Sequence, residues 1–524
     1  MRKVAMALTL LTLLSLTVGA QRVEVRRGNC TSLPTSGADM ARAQQQRRLA
    51  TPSSDWDSTR VYRQLVILFS FNDKDFSYEN PRETYDKIFN QTGYNERKGP
   101  GCVAEYFREQ SGGRLNLQFD VYGPYKIDSP AQPYTNPDED TKNKGKTQMK
   151  AATTMFLEDH PEIDFSVYDW NGNGTVNQVI YVFAGYAGNE SSSKSYGHIW
   201  PNTSNFSIIW TPDHKRITNY TSSGELWTNN KPCGIGTICH EFTHSLGLPD
   251  IYPTNGWTYT AVDEWDLMDG GNFTNYGWCP PNYSPLEKML LGWLEPVELT
   301  GPTSVTDMKP VSEGGEVYLV KHTDKEYYLL ENRQWRGWDF GAPGRGLVVY
   351  HVDYDQGSWT SNSLNNRNNM FRYQIVAADN RTYDDWDTVT RDVMHVTSKN
   401  QTYRNDDRMN SYYLSGSAYP YTPDAGETIM ALTDETVPAA TMYNANGEGS
   451  KLLSKPITNI RMTEDGLISF DFMGGTTGVE RVTSHRPCQA EECIDLMGRK
   501  LPAGSHARLY IIKGTDGKVR KVIR

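Results

Sequence analysis

The stretch His240-Glu241-Phe242-Thr243-His244-Ser245-Leu246-Gly247-Leu248-Pro249-Asp250 constrains this chain more than any other. On a helix, positions four apart share a face, so His240 and His244 can present their imidazoles to one metal ion while Glu241, one step round, reaches a water on that ion. Gly247 fits a left-handed C-terminal cap, and Pro249 prevents the helix from resuming. The resulting turn brings Asp250 back toward the imidazoles. Two imidazoles and a carboxylate leave a tetrahedral zinc one vertex for water, the arrangement of a catalytic rather than a structural site. Such an ion lowers the pKa of its water to roughly 7, and Glu241 is placed to take the proton. A His-Glu-x-x-His arises by chance in roughly one chain in a hundred of this length, and a fixed Gly and Asp lower that by about two further powers of ten.

Trp265-Asp266-Leu267-Met268-Asp269-Gly270-Gly271 follows, with Met268 in a tight, Gly-terminated turn. It resembles the Met-turn that floors metzincin zinc sites. Glu287, on a later helix, is the rival third ligand and would make a thermolysin-like set; its plainer reading is a solvated helix residue. Asp169, Asn171, Asn173 and Asn177, with Gly174 between them, begin like a calcium loop, but Ile180 stands where an EF-hand carries its bidentate Glu. The competing reading is an Asx-rich turn before a strand.

The chain has 524 residues and a formal charge of −10, with Lys and Arg scattered. No basic stripe marks a nucleic-acid partner. Aromatic residues make up 11% of the chain, which is too much packable surface for a disordered protein. Arg2-Lys3, the apolar run Val4 to Val18 and Gly19-Ala20 read as a secretory signal peptide over 1–20. No later segment is apolar enough to span a membrane, so a secreted or surface-exposed monomer without an integral membrane segment is expected. Seven cysteines are too few for a disulfide scaffold. Cys488 and Cys493 are close enough in sequence to bridge, and Cys239 reads as a small buried residue. Residues 21–60 are a polar leader and a candidate pro-segment, in which Cys30 is a candidate latency ligand for the zinc, with Asp39 and Asp55 as carboxylate alternatives.

Beyond the leader, Leu65 to Phe71 reads as a buried strand, and Asn80-Pro81-Arg82-Glu83 as an N-cap and capping box opening a helix. Val103, Tyr106 and Phe107 predict a second helix stopped by Gly112-Gly113. Leu115 to Val121 alternates as a half-buried strand, a helix follows near 146–158, and Val179 to Phe183 is another strand. After about 300 the runs Glu316 to Val320, Tyr327 to Leu330, Leu347 to Val352 and Leu467 to Phe472 predict an all-β region, taken as a sandwich. Leu509 to Ile512 and Lys518 to Ile523 flank Asp516-Gly517, a two-residue hairpin signal.

Several landmarks resemble the immune inhibitor A family of secreted bacterial metallopeptidases. They include Leu65-Val66-Ile67-Leu68-Phe69-Ser70-Phe71-Asn72-Asp73, Tyr106 to Gly113, Phe119 to Pro124, Pro285-Leu286-Glu287-Lys288, Leu330-Glu331-Asn332-Arg333 and Pro343 to Leu347. The resemblance runs from about 60 to 475 and implies a metzincin-type zinc endopeptidase acting on protein or peptide substrates. It assigns His240, His244 and Asp250 as ligands and Glu241 as base. Asn202 departs from that pattern, where a His is expected, which bears on local substrate contacts. Ile494 to Lys500 with Leu509-Tyr510-Ile511-Ile512 resembles the C-terminal sorting module of type IX secretion.

The expected fold is α+β: a metzincin-like catalytic domain over 61–299, with a mixed sheet and an active-site helix, then an all-β sandwich over 300–475 and a β tail over 476–524. The expected function is zinc-dependent endopeptidase. The alternative is a catalytically silent surface-binding protein that keeps the fold.

Overall fold

The computed structural model describes residues 56–97, 99–135, 145–189, 197–226, 230–255, 261–367, 370–381 and 414–476, and the backbone of three strands between 492 and 523. The signal segment, Cys30, Asp39, Asp55 and Cys488 lie outside the described residues, as does the side chain of Cys493.

The architecture is mixed α+β. The first sheet contains β1 (Val61–Ser70), β2 (Asn116–Lys126), β3 (Val179–Tyr186), β4 (Thr203–Trp210) and β5 (Arg216–Leu226), in the order β2-β1-β3-β5-β4. All neighbours are parallel except β4, which runs antiparallel along the edge of β5. Side chains alternate across a pleated strand, and β1 uses both faces. Leu65, Ile67 and Phe69 join one core with Val179, Tyr181 and Phe183 of β3 and with Met149, Ala152 and Phe156 of a helix at Lys146–Asp159. Val66 and Leu68 join a second core with Ile180 and Val182, covered by α1 (Pro81–Asn90), α2 (Val103–Gln110) and the motif helix Gly236–Ser245. Hence the continuous apolar run: a strand buried on both faces has no polar side to show.

Helix α1 forms as expected, but its start differs from the expected capping box. Asn80 makes no side-chain cap bond. The pattern operates instead where Glu105 accepts from the Cys102 N–H at 3.1 Å, and where Glu287 accepts from the Ser284 N–H and hydroxyl at 2.8 and 2.9 Å. The second helix ends before Gly112 and Gly113, both with positive φ.

Beyond 300, β6 (Val297–Glu298), β8 (Tyr318–Lys321), β9 (Glu326–Arg333), β10 (Gly346–Asp353) and β11 (Tyr373–Ile375) form a second sheet, ordered β11-β10-β9-β8-β6. A third sheet holds β7 (Thr303–Met308), β12 (Ile457–Met462) and β13 (Ile468–Phe472), with β13 central. Every residue of β9 and β10 is buried. Tyr328, Leu330, Leu347 and Val349 face the third sheet's Val305, Ile460, Ile468 and Phe470. Leu329, Val348, Tyr350 and Val352 belong to the same core as the motif helix. The second sheet is therefore packed between the third sheet and the upstream region. The region also holds a short helix, Gln356–Thr360.

Near the chain's end, β14 (Glu492–Ile494), β15 (Leu509–Lys513) and β16 (Val519–Ile523) pair antiparallel. Leu509 pairs with Ile523 and Lys513 with Val519. Asp516-Gly517, read from the sequence as the hairpin turn, lie outside the described residues.

Candidate metal centre

All ten residues of the motif helix are buried. The helix sits against the first sheet through its backbone as well as its side chains: Thr203 Oγ1 of β4 donates to the Glu241 carbonyl at 2.5 Å, and Phe242 packs edge-on against Phe107 with centroids 5.1 Å apart. Its first turn lies so close to the segment after Met268 that a Cβ on Gly236 would stand 1.9 Å from the Asn272 carbonyl oxygen. Only glycine permits that approach. Past the last turn, Gly247 has φ +103° and its N–H donates to the His244 carbonyl at 3.0 Å, so the chain turns where the sequence reading placed the turn.

That turn returns Asp250 to the imidazoles. His240 Nε2 and His244 Nε2 each stand 3.2 Å from Asp250 Oδ1, and all three residues are fully buried. The other ring nitrogens fix the tautomers. His240 Nδ1 lies 2.8 Å from the Leu267 carbonyl oxygen, and His244 Nδ1 lies 2.8 Å from that of Leu248. A carbonyl only accepts, so each Nδ1 carries a proton, and in a neutral ring Nε2 is then a lone pair. Two nitrogen lone pairs and a carboxylate oxygen converge.

This donor set fits zinc. Two donors about 2.0–2.1 Å from a tetrahedral zinc stand about 3.3 Å apart, close to the 3.2 Å separations here. Buried lone pairs converging at that spacing repel unless a cation or protons lie among them. His240, His244 and Asp250 form the one group of three or more potential ligands among the described residues.

Glu241 is fully buried on the turn that carries His240. Met268 is fully buried in a turn tied to the His-His-Asp group through its backbone: the Leu267 carbonyl faces His240 Nδ1, and Met268 O accepts from the Ile251 N–H at 2.8 Å. The Asp266 carboxylate closes that turn by accepting from the Met268 N–H at 2.7 Å.

Glu287 is not a solvated helix residue. It is fully buried, its Oε2 is engaged by Ser284, and burial together with the Asp266 carboxylate pushes its acid well above the usual range. That carboxyl belongs to the capping of its own short helix.

The calcium-like run also resolves differently. Asp169 accepts from the N–H groups of Asn173 at 3.0 Å and Gly174 at 2.7 Å, and Lys215 Nζ stands 3.5 Å from Asp169 Oδ2. Asn177 Oδ1 accepts from the Trp170 N–H at 2.6 Å, and Asn173 Oδ1 from that of Thr175 at 3.0 Å. These oxygens build an Asx-rich turn whose positive partner is a lysine. Asn202 is buried, accepting from the Tyr220 hydroxyl at 2.8 Å and donating to the Trp200 carbonyl at 2.7 Å, so it ties β4 to β5 instead of facing a substrate. Cys239 is a buried core residue, as expected.

Sequence reasoning missed two neighbours of the His-His-Asp group. The Tyr252 ring lies nearly parallel to that of His240, with centroids 6.4 Å apart. Asn362, 112 residues beyond Asp250, bonds both its N–H and its carboxylate. Neither position carries a period or spacing that points to the site.

Two imidazoles on one buried helix and a carboxylate just past its turn form a donor set of the kind a metal-dependent hydrolase uses. Residues 60–291 match the family described as immune inhibitor A peptidase M6, catalytic domain. Among curated proteins, it is 22% identical over 270 residues to the pre-pro-metalloprotease PrtV of Vibrio cholerae serotype O1, covering 46% of this chain and 28% of that protein. It is 28% identical over 277 residues to immune inhibitor A of Bacillus thuringiensis subsp. alesti, covering 43% of this chain and 38% of the relative. The matches thus span well under half of either relative.

Proposed function

We propose that the protein is a secreted, zinc-dependent endopeptidase with a metzincin-like catalytic domain over 61–299, a β-sandwich over 300–475 and a terminal sorting module over 476–524. The observation that carries this reading is the convergence of His240 Nε2 and His244 Nε2 on Asp250 Oδ1 with both Nδ1 atoms tied to carbonyls. The signal-like residues 1–20 support export, and no helix among the described residues is long and apolar enough to cross a membrane.

His240, His244 and Asp250 hold the ion, which when bound acidifies a water and polarises the substrate carbonyl. Leu267 and Leu248 keep both rings aimed through Nδ1. Glu241 accepts the proton of the attacking water at its carboxylate and delivers it to the nitrogen of the departing amine. The antiparallel edge strand β4 touches the motif helix through Thr203 and offers an extended peptide a backbone to pair with.

The test is Glu241→Ala in the full-length protein. It is expected to keep one zinc per chain while casein cleavage falls by about 10²–10⁴-fold; His244→Ala is expected to lose the zinc as well. Equal peptidase activity in wild type and Glu241→Ala refutes the mechanism. Zinc retention without chelator-sensitive digestion in wild type would instead favour a silent binding protein.

A further inference from the structure

The third ligand is gripped from outside its own helix and turn. Asn362 lies just after the short helix Gln356–Thr360, beyond the end of the family match at 291. Its Oδ1 accepts from the Asp250 N–H at 2.7 Å, and its Nδ2 donates to Asp250 Oδ2 at 2.8 Å. With Oδ2 engaged, Oδ1 is the oxygen turned to His240 and His244. An amide suits this task because one side chain supplies an acceptor and a donor at fixed spacing. Asn362 also adopts φ +53°, a left-handed conformation that asparagine tolerates better than most residues.

Two neighbouring asparagines hold the same loop by its backbone. Asn365 Nδ2 donates to the Ile251 carbonyl at 2.8 Å, and Asn366 Oδ1 accepts from the Thr254 N–H at 2.7 Å. Thr254 Oγ1 returns a bond to the Asn362 carbonyl at 2.6 Å. Of the three asparagines, Asn362 alone touches the carboxylate.

We propose that Asn362 is a positioning residue of the metal centre, fixing the Asp250 carboxylate from a segment downstream of residue 300. This rests on the reading of His240, His244 and Asp250 as zinc ligands. Its physical basis is that an outer partner removes the ligand's rotational freedom before the ion arrives, an effect typically worth about 10–100-fold in metal affinity.

The test uses full-length protein and measures the zinc dissociation constant by competition with a chromogenic chelator, alongside the visible spectrum of the cobalt-substituted form. Asn362→Gly deletes the side chain and suits the positive φ. Its zinc constant is expected to rise about 10- to 100-fold, with a shifted cobalt band and a metal-free protein that still melts cooperatively. Asn366→Ala, which loses its bonds to the Thr254 N–H and hydroxyl but none to the Asp250 carboxylate, is expected to stay within about threefold of wild type. Unchanged zinc affinity in folded Asn362→Gly overturns the proposal, and so does an equal loss in Asn366→Ala, since the effect is then loop ordering. Should Asn362→Gly fail to fold, Asn362→Ser, too short to span both bonds, carries the same comparison. His244→Ala separates the two levels. If it keeps its zinc, the ligand reading itself fails; if it loses zinc while Asn362→Gly binds normally, only the role of Asn362 fails.

Discussion

The sheet upstream of residue 300 and the sheet downstream of it are both buried on two faces, but by different neighbours. Helices cover both sides of the upstream sheet. The downstream sheet has the third sheet on one side and the motif helix's own core on the other. The second region is thus one wall of the first, and its side chains reach the metal centre. Arg333 of β9 shows the join: it is fully buried, paired with Asp339 through both carboxylate oxygens and with Glu331 at 3.3 Å, while Asn282 and Trp338 carry the contact to α2 through Gln110 and Glu109.

The largest expected effect breaks this comparison outright. A chain cut after Leu299 exposes the face that Leu329, Val348 and Tyr350 cover, so it is expected to show no cooperative melt by circular dichroism. A soluble, cooperatively folding fragment would make the downstream region dispensable.

Next comes the contrast between two arginines. Arg333→Met leaves Asp339 and Glu331 buried without their cation and is expected to cost about 3–5 kcal/mol in urea unfolding. Arg63, paired with Asp120 at 2.7 Å on the upstream sheet with 41% of its side chain exposed, is expected to lose no more than about 1 kcal/mol as Arg63→Met. Equal losses would deny the difference between the two regions.

The smallest effect is a pair of opposite pH slopes. Burial alone would raise Glu326 of β9, but bonds from His351 and from the Tyr443 and Asn444 N–H groups outweigh it and hold the acid at about 2. A depressed acid contributes stability that is fully present above its ordinary 4.5 and lost as pH falls through about 2. Glu287 behaves oppositely. Burial first, then the Asp266 charge, raises it well above 4.5, so its contribution is present below 4.5 and lost as pH rises through the folded value. Urea midpoints measured from pH 2 to 9 are expected to lose part of the acid limb in Glu326→Gln and part of the alkaline decline in Glu287→Gln. Unaltered limbs in both variants would contradict these assignments.

What could be read from the sequence was local. The His240 to Asp250 geometry follows from helical periodicity, a glycine φ and a proline, all within one stretch. The run at 65–71 declared its two-sided burial by lacking polar positions, and β9 and β10 carry the same signature, though the upstream core covering one of their faces is set by topology. Asn80 and Glu83 share the spacing of Ser284 and Glu287, yet only the second pair forms a capping box, because backbone geometry at the cap decides it. Asp169 looked equally suited to calcium or a turn until Lys215, 46 residues away, supplied its positive partner. Asn362 meets Asp250 across 112 residues and left no local mark.

Zinc-edge X-ray absorption on the leader-free protein most directly tests the proposed centre. The expected shell holds two imidazole nitrogens and oxygen donors at about 2.0–2.1 Å, with the imidazole signal lost in His244→Ala. A sulfur scatterer near about 2.3 Å, or an unchanged shell in His244→Ala, would contradict it.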